Sequence, residues 1–384
     1  MNRATQAASH VNPSLLRFVL YFLRLGTFGF GGPIALAGYM QHDLVDERHW
    51  ITREDYLNGL ALAQLAPGPL AAQLAIYLGY VRAGFVGATL VGITFILPSF
   101  LIVLGIAAAY VRFGGLSWMQ SAFYGIGAAV IGIISRSALK LARLTLAKDK
   151  LLWLIFVVLA VSTAWTEREI IWLFLLGGIV ALAVKSVPLR QMSGTTWCVF
   201  LATAGVAGYG KLGELFLYFA KAGMFVFGSG LAIVPFLYGG VVQGHHWLND
   251  RQFLDAVAVA MITPGPVVIT VSFIGYLVAG PAGALAAALG VFAPVYLVVV
   301  ALAPYYKRFA KNPQLHAFVQ GVTAAAAGAI AGAVIVLARR SIYDIPTLVI
   351  AAVSLGVLMR WKIPEPMIIL AAAAAGLALH PGVR

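Results

Sequence analysis

Cysteine is all but missing. Cys198 is the single one in 384 residues, which excludes an internal disulfide and a thiolate metal site, and it reads as small apolar filler. Charge is scarce as well: 10% of residues are charged, and the 13 acids are half as numerous as the 26 bases. His245 and His246 adjoin, but no further ligands stand near them, so neither a metal nor a cofactor is expected. An intramembrane enzyme needs His, Cys or acids clustered within a span, and none is found, so the chain is not read as an enzyme. The GxGxxG fingerprint is absent. Gly205 to Lys211 imitates the start of a phosphate loop, but Leu212 stands where Ser or Thr would bind magnesium, so nucleotide is excluded. The tail from Met1 to Ser14 has no apolar stretch followed by a small-residue cleavage site, and no cleaved signal peptide is expected.

What the chain has is apolar surface. Hydrophobic residues make up 61% and the mean hydropathy is +0.93, more than a soluble core could hide. The composition predicts an all-α polytopic membrane protein with the lipid bilayer as its surroundings. The net charge of +13 does not imply nucleic acid, because the bases sit one to three at a time between apolar runs. They read as topology signals of a bacterial inner membrane.

The chain also repeats itself. With a constant offset of 197, Gly26 falls on Gly223, Phe28 on Phe225, Phe30 on Phe227, Gly31 on Gly228, Trp50 on Trp247 and Leu57 on Leu254. Pro67-Gly68-Pro69 falls on Pro264-Gly265-Pro266, and Arg24 on Lys221. An unslipped match over so long a stretch predicts two homologous units. We divide the chain into a tail (1–14), a first repeat (15–184), a linker with an extra apolar segment (185–211) and a second repeat (212–384). In the first repeat, Leu15 to Met40 is long enough to cross the roughly 30 Å apolar layer, although glycines interrupt it. A polar connection follows, then two apolar arms of about thirteen residues flanking Pro67-Gly68-Pro69, each reaching only about 20 Å. Phe85 to Tyr110, Trp118 to Leu139, Leu151 to Trp165 and Ile170 to Val184 complete the unit. The second runs Leu212 to Gly240, the Pro264 break, Ala282 to Tyr306, Leu315 to Ala338, Thr347 to Met359 and Pro364 to Leu379.

Basic residues orient the halves. Lys140, Arg143, Lys148 and Lys150 follow the fourth apolar element of the first unit, and only Arg112 precedes it. Lys307, Arg308 and Lys311 precede its equivalent, while Arg339 and Arg340 follow. If basic loops stay inside, the two units face opposite ways, the inverted repeat of secondary transporters. Each unit is then about five spans plus a broken helix or re-entrant hairpin at Pro-Gly-Pro, ten spans in all. Drawn as true crossings, with Thr196 to Gly210 added, the breaks raise the count to thirteen.

Two prolines around a glycine end one helix and start another. In lipid such a break is tolerated only against protein or water, and it brings helix N-termini to the midplane, where they can hold an anion without a charged side chain. GTFGFGGP (Gly26 to Pro33) is answered by GMFVFGSG (Gly223 to Gly230), whose glycines permit unwound backbone or close helix approach. Arg24 and Lys221 lie inside apolar stretches just before these motifs and are candidates for anion contact. Gln73, its counterpart Thr270, and Ser229 could add neutral donors. The interfacial segments carry Trp50 and Trp247 as anchors, and Arg53, Glu54, Asp55 and Asp255 as a gate or entry funnel. Of these, Glu54, Asp55 and Asp255 are the acids near enough to relay protons.

FGFGGP (Phe28 to Pro33), AQLAPGPLAAQ (Ala63 to Gln73), LGYVRAG (Leu78 to Gly84) and the second-half FGSG and TPGPVVIT together resemble the chromate ion transporter family, in its long two-domain form. The resemblance covers essentially the whole chain. It implies export of chromate from the bacterial cytoplasm, antiport among the mechanisms, sulfate as a structural relative and chromate resistance as the phenotype. It points to Arg24, Phe30, Gly31, Gly32, Pro33, Trp50, Pro67, Gly68 and Pro69. In the second half it points to Lys221, Gly223, Phe227, Gly228, Trp247, Pro264, Gly265 and Pro266. Ser229 departs from the more common FGGG. A sulfate or other oxyanion carrier and a passive anion channel remain the alternatives, and a homodimer is left open.

Overall fold

Proline and glycine decide where this chain turns. The computed structural model describes residues 13–113, 116–167, 171–185, 210–224, 226, 230, 233–305, 312–361 and 363–379. Cys198, Gly228, Ser229, residues 186–209 of the linker and nearly all of the N-terminal tail lie outside these. The described residues are helical throughout and contain no strand. In the first half they form α1 (Leu15–Phe28), α2 (Gly32–Met40, prolonged by a π-helix Gln41–Glu47), α3 (Arg53–Leu65), α4 (Leu70–Phe113), α5 (Ser117–Leu146), α6 (Lys150–Thr166) and α7 (Ile171–Lys185). The second half gives α8 (Lys211–Met224), α9 (Ile233–Leu237, with a π-helix Tyr238–Gly244), α10 (Asp250–Ile262), α11 (Thr270–Leu302), α12 (Pro313–Ser341), α13 (Ile345–Arg360) and α14 (Glu365–Leu379).

The apolar run Leu15 to Met40, expected as one crossing, is two half-length helices that fold back on each other. The Tyr21 hydroxyl donates to the Tyr39 carbonyl at 3.3 Å, and the Phe18 and Trp50 rings lie 6.2 Å apart. The turn is Gly29 to Gly31, and Gly31 at φ 108° adopts a conformation that a side chain would resist. Leu212 to Gly240 is corrected in the same way: the Tyr218 hydroxyl donates to the Phe236 carbonyl at 3.0 Å. A crossing helix would hold residues eighteen apart about 27 Å from each other. The Pro-Gly-Pro arms fold back on each other too, since a Cβ on Gly59 would lie within 3.0 Å of Leu74 and run into the Tyr77 ring.

α4 is likewise not one rod. Ala83 (φ −152°, ψ 35°) and Gly84 (φ 56°, ψ −141°) reverse it, so residues 70–82 form the returning arm and 85–113 a separate span. Gly79 and Gly87 make the reversal possible, because a Cβ on Gly79 would sit 2.9 Å from the Gly87 carbonyl carbon. α11 repeats this at Ala279 (φ −147°) and Gly280 (φ 61°), with Gly275 against Gly283. The offset between the halves is now 196. One residue has been lost between Pro266 and Gly275, next to the 3-10 turn Val267–Ile269.

Four helical stretches are long and apolar enough to cross a membrane among the described residues: Leu70–Phe113, Ser117–Leu146, Val267–Tyr305 and Pro313–Ser341. Packing between halves is reciprocal. α5 packs against α13 and α14, and α12 against α6 and α7. Small residues let these backbones close up: Gly132 lies under the Ala351 carbonyl, and Gly177 and Ala181 receive Gly321. Where α4 meets α11, Thr89 near the start of its span bonds to Tyr296, past the middle of the other, at 2.7 Å.

Two faces follow from the contacts. On one, Arg82 donates to the Pro13 carbonyl, and Lys185 pairs with Asp149 at 2.5 Å. On the other, Arg340 grips Asp250 through both carboxylate oxygens at 3.0 Å and also pairs with Glu167, which accepts from Gln243 at 3.0 Å.

Candidate functional site

The hairpin tips meet in the interior, and they do so reciprocally. Gly68 N–H donates to the Val226 carbonyl at 2.6 Å, and Gly265 N–H donates to the Gly29 carbonyl at 2.8 Å. Both donors and both acceptors are related by the offset of 197. Each Pro-Gly-Pro break is therefore tied to the glycine motif of the opposite half. A Cβ on Gly68 would lie 2.8 Å from Val295, and one on Gly265 would strike the Ser99 hydroxyl; Ser99 and Val295 are themselves equivalent. A Cβ built on Gly230 would be 3.7 Å from Pro33, its own counterpart, and 3.5 Å from Val268. At this point a residue of one half thus approaches its own equivalent in the other.

Helix ends converge there. α2 starts at Gly32, the second arms of the Pro-Gly-Pro hairpins start at Leu70 and Thr270, and α9 follows Gly230 closely in sequence. An α-helix N-terminus carries unpaired N–H groups and about half a positive charge. Pro33 at the first turn of α2 fits this, since it sacrifices no hydrogen bond. The Pro-Gly-Pro tips are buried, whereas Gly31 is exposed and Gly32 faces open space, so the first glycine motif is the accessible part.

Neutral groups brace the breaks. Gln73 is fully buried, and its Nε2 donates to the Pro67 carbonyl at 2.7 Å and the Ala66 carbonyl at 3.2 Å. Its Oε1 is buried with no partner. Thr270 Oγ1 donates to the Val267 carbonyl at 2.8 Å, capping its own turn. Gly68 at φ 137° and Gly265 at φ 87° hold backbone that only glycine adopts easily.

Of the residues singled out in the sequence, Gly31, Gly32, Pro33, Pro67, Gly68, Pro69, Pro264, Gly265 and Pro266 come together, with Gln73 and Thr270 beside them. Gly228 and Ser229 lie outside the described residues. Arg24 and Lys221 are exposed on their half-helices, Arg24 on a stripe with Leu20 and Phe28, and not among the buried tip contacts. Trp50 and Trp247 sit at the hairpin bases: the Arg48 guanidinium lies 4.8 Å from the Trp50 ring, and His245 stacks on Trp247 at 4.4 Å. Arg53 and Glu54 are exposed, while Asp55 accepts from Thr52 Oγ1 at 2.7 Å in the cap of α3. Asp255 differs from these, being 2% exposed and bonded to the Tyr110 hydroxyl at 2.7 Å. Tyr110, Ser99 and Glu167 do not stand out in the sequence, and Arg340 reads there only as a topology signal, not as the partner of Asp250 and Glu167. The one available signal was that Asp255 aligns with Asn58.

An open cleft of about 890 Å³ lies on the Arg340 face, lined among others by Trp165, Gln243, Trp247 and Asp250.

Comparison with known proteins agrees with this architecture. The family described as Chromate transporter matches residues 16–182 and again 213–377. A chromate transport protein of Cupriavidus metallidurans is 60% identical over 382 residues, covering 97% of this chain and 95% of its own. A probable chromate transport protein of Synechococcus elongatus is 55% identical, covering 96% and 97%. One from Pseudomonas aeruginosa is 33% identical, covering 99% and 97%. No solved structure matches the chain. A helical membrane chain whose two matching stretches meet at their hairpin tips thus belongs to the chromate transporter family, and is a transporter rather than an enzyme.

Proposed function

We propose that this protein exports chromate from the bacterial cytoplasm across the inner membrane, and so confers chromate resistance. The observation that carries the reading is the reciprocal pairing of Gly68 with Val226 and Gly265 with Gly29, which gathers half-helix N-termini around one centre. A tetrahedral dianion is held there by backbone N–H groups and dipole ends, a solution that needs no buried base. Arg24 and Lys221 stand one turn short of the tips on half-helices from opposite halves, and they draw the anion toward that centre from either side.

The inverted arrangement is supported by the Thr89 to Tyr296 contact. Two spans related by a parallel repeat would set equivalent positions beside each other, whereas here Thr89 meets Tyr296, about three turns beyond its own counterpart Leu285. We count four crossings in each repeat, two long and two short. Bases orient the chain: Arg48, Arg82, Arg143, Lys148, Lys150 and Lys185 belong to one face, which we assign to the cytoplasm. The Arg340 face then looks outward.

Two negative charges leaving an inside-negative cell gain about 4.6 kcal/mol per 100 mV, taking ~2.3 per charge. At about 1.4 kcal/mol per factor of ten, that potential sustains a gradient of roughly three orders of magnitude. The test is labelled chromate uptake by inverted vesicles. Arg24→Gln and Lys221→Gln should each abolish most of the flux while the protein remains inserted, and wild-type flux in both would remove these two side chains from the anion path. Competition by sulfate in the same assay decides whether the site separates the two oxyanions.

A further inference from the structure

Asp255 is the one acid or base among the described residues that is fully buried, at 2% exposure. Its Oδ2 accepts from the Tyr110 hydroxyl at 2.7 Å, a bond that joins α10 of the second half to the α4 span of the first. The Tyr110 ring is fixed edge-on by Phe123 at 5.5 Å and Phe273 at 5.2 Å, so the hydroxyl is aimed by packing. On its other side Asp255 lines a cavity of about 320 Å³ together with Ser121, Tyr124, Arg251, Ser341 and Tyr343. Tyr343 is 69% exposed, so the cavity runs from the Arg340 face inward to the carboxylate. The Ser341 hydroxyl in its wall is buried without a partner, which marks a polar site of the kind that water fills.

The surrounding charges leave Asp255 largely to itself. Arg251, one turn earlier on α10, is exposed and donates to the Gln120 carbonyl at 3.2 Å. Asp250 and Arg340 are bound to each other, Tyr124 donates to Asp344 at 2.5 Å, and Glu365 on α14 stands 3.9 Å from Arg136. α11 presents Phe273. A buried carboxylate with one neutral donor and no paired cation is expensive to keep charged and gains by taking a proton. The first half has Asn58 at the matching position, which cannot titrate. Asp255 also stands ten residues before Gly265 on the same hairpin arm, about 15 Å along the helix. Its charge state therefore acts on a half-helix that ends at the tips.

We propose that Asp255, held by Tyr110, is the proton-binding site that couples oxyanion export to proton entry. Water in the cavity delivers a proton to the carboxylate, which becomes neutral. Once α10 has shifted against the α4 span, the proton leaves to water on the opposite face. This rests on the export reading above.

The full chain in proteoliposomes should carry chromate faster when the Arg340 face is acidified at clamped potential. Asp255→Asn should lose this response, so that whatever flux it retains is indifferent to the pH gradient. Tyr110→Phe should keep the response with a displaced pH profile. Infrared difference spectra of the purified protein should show a carboxylic acid band that titrates in the wild type and vanishes in Asp255→Asn, a readout that needs no transport. Undiminished gradient response in Asp255→Asn, no response in the wild type, or a titrating band that survives the substitution would each overturn the proposal. A wild type that moves no chromate under either driving force would instead refute the export reading, and the infrared titration would still decide whether Asp255 takes the proton.

Discussion

At the scale of single residues, the site is made mostly of what side chains do not occupy. Gly265 at φ 87° faces the Ser99 hydroxyl, and Gly68 at φ 137° faces Val295 at 2.8 Å, so a methyl group at either needs both strained backbone and displaced neighbours. Gly265→Ala and Gly68→Ala should each cost about 2 kcal/mol or more and stop transport, read as a lowered melting temperature in detergent and as lost vesicle flux. Gln73 is the other sensitive position. Gln73→Leu removes the donor for the buried Ala66 and Pro67 carbonyls at a cost of roughly 1–3 kcal/mol each. A melting temperature equal to wild type would mean that water or a backbone group replaces the amide. The glycines and prolines of the tips were legible in the sequence, because those residue types have few other uses inside apolar runs. Asp255 was legible only as an acid near the interface: its burial depends on Tyr110, which lies 145 positions away.

Among helices and hairpins, the sequence was less informative. Leu15 to Met40 and Leu212 to Gly240 have the length and composition of single crossings, and nothing in hydropathy separates one span from two half-helices lying side by side. Folding back is fixed by the pairing of Tyr21 with Tyr39 and of Tyr218 with Phe236, contacts between aromatic residues that also suit an ordinary core. The helix breaks at Pro-Gly-Pro were legible because two prolines around a glycine cannot continue a helix, but whether the arms fold back or cross was left open between a hairpin and a broken helix. The reversals at Gly84 and Gly280 fall where the thirteen-residue arms end and the spans Phe85 to Tyr110 and Ala282 to Tyr306 begin, but the close approach of Gly79 to Gly87 that makes the turn could not be read from isolated glycines, which are common in membrane helices. A comparison of two glycines tests the reversal. Gly87→Ala drives a methyl into the Gly79 carbonyl and should destabilise the chain by about 1–3 kcal/mol, whereas Gly105, with open space around its missing Cβ, should accept alanine and gain up to about 1 kcal/mol. Equal thermal stability of the two variants would argue against the tight packing of residues 70–82 on 85–113.

For the molecule as a whole, the halves are exchanged rather than merely adjacent, with α5 seated among α13 and α14 and α12 among α6 and α7. Neither half can bury its long helix alone. Expressed separately, the two halves should show no transport, and co-expression should restore it; flux from one half alone would contradict the reciprocal packing. Orientation is testable through the near absence of cysteine. In a Cys198→Ala background, Lys148→Cys should react with a membrane-impermeant thiol reagent only from the cytoplasm and Arg339→Cys only from outside, while labelling of both from one side would rule out the inversion.

The approach of Pro33 to Gly230 has a consequence for how such a protein arises. If the units are inverted as proposed, no second gene is needed: a chain carrying one unit would assemble the same centre by meeting a sister molecule threaded into the bilayer the other way. Joining the two in a single polypeptide frees each to diverge, and only then can an acid settle at one position while an amide remains at its twin.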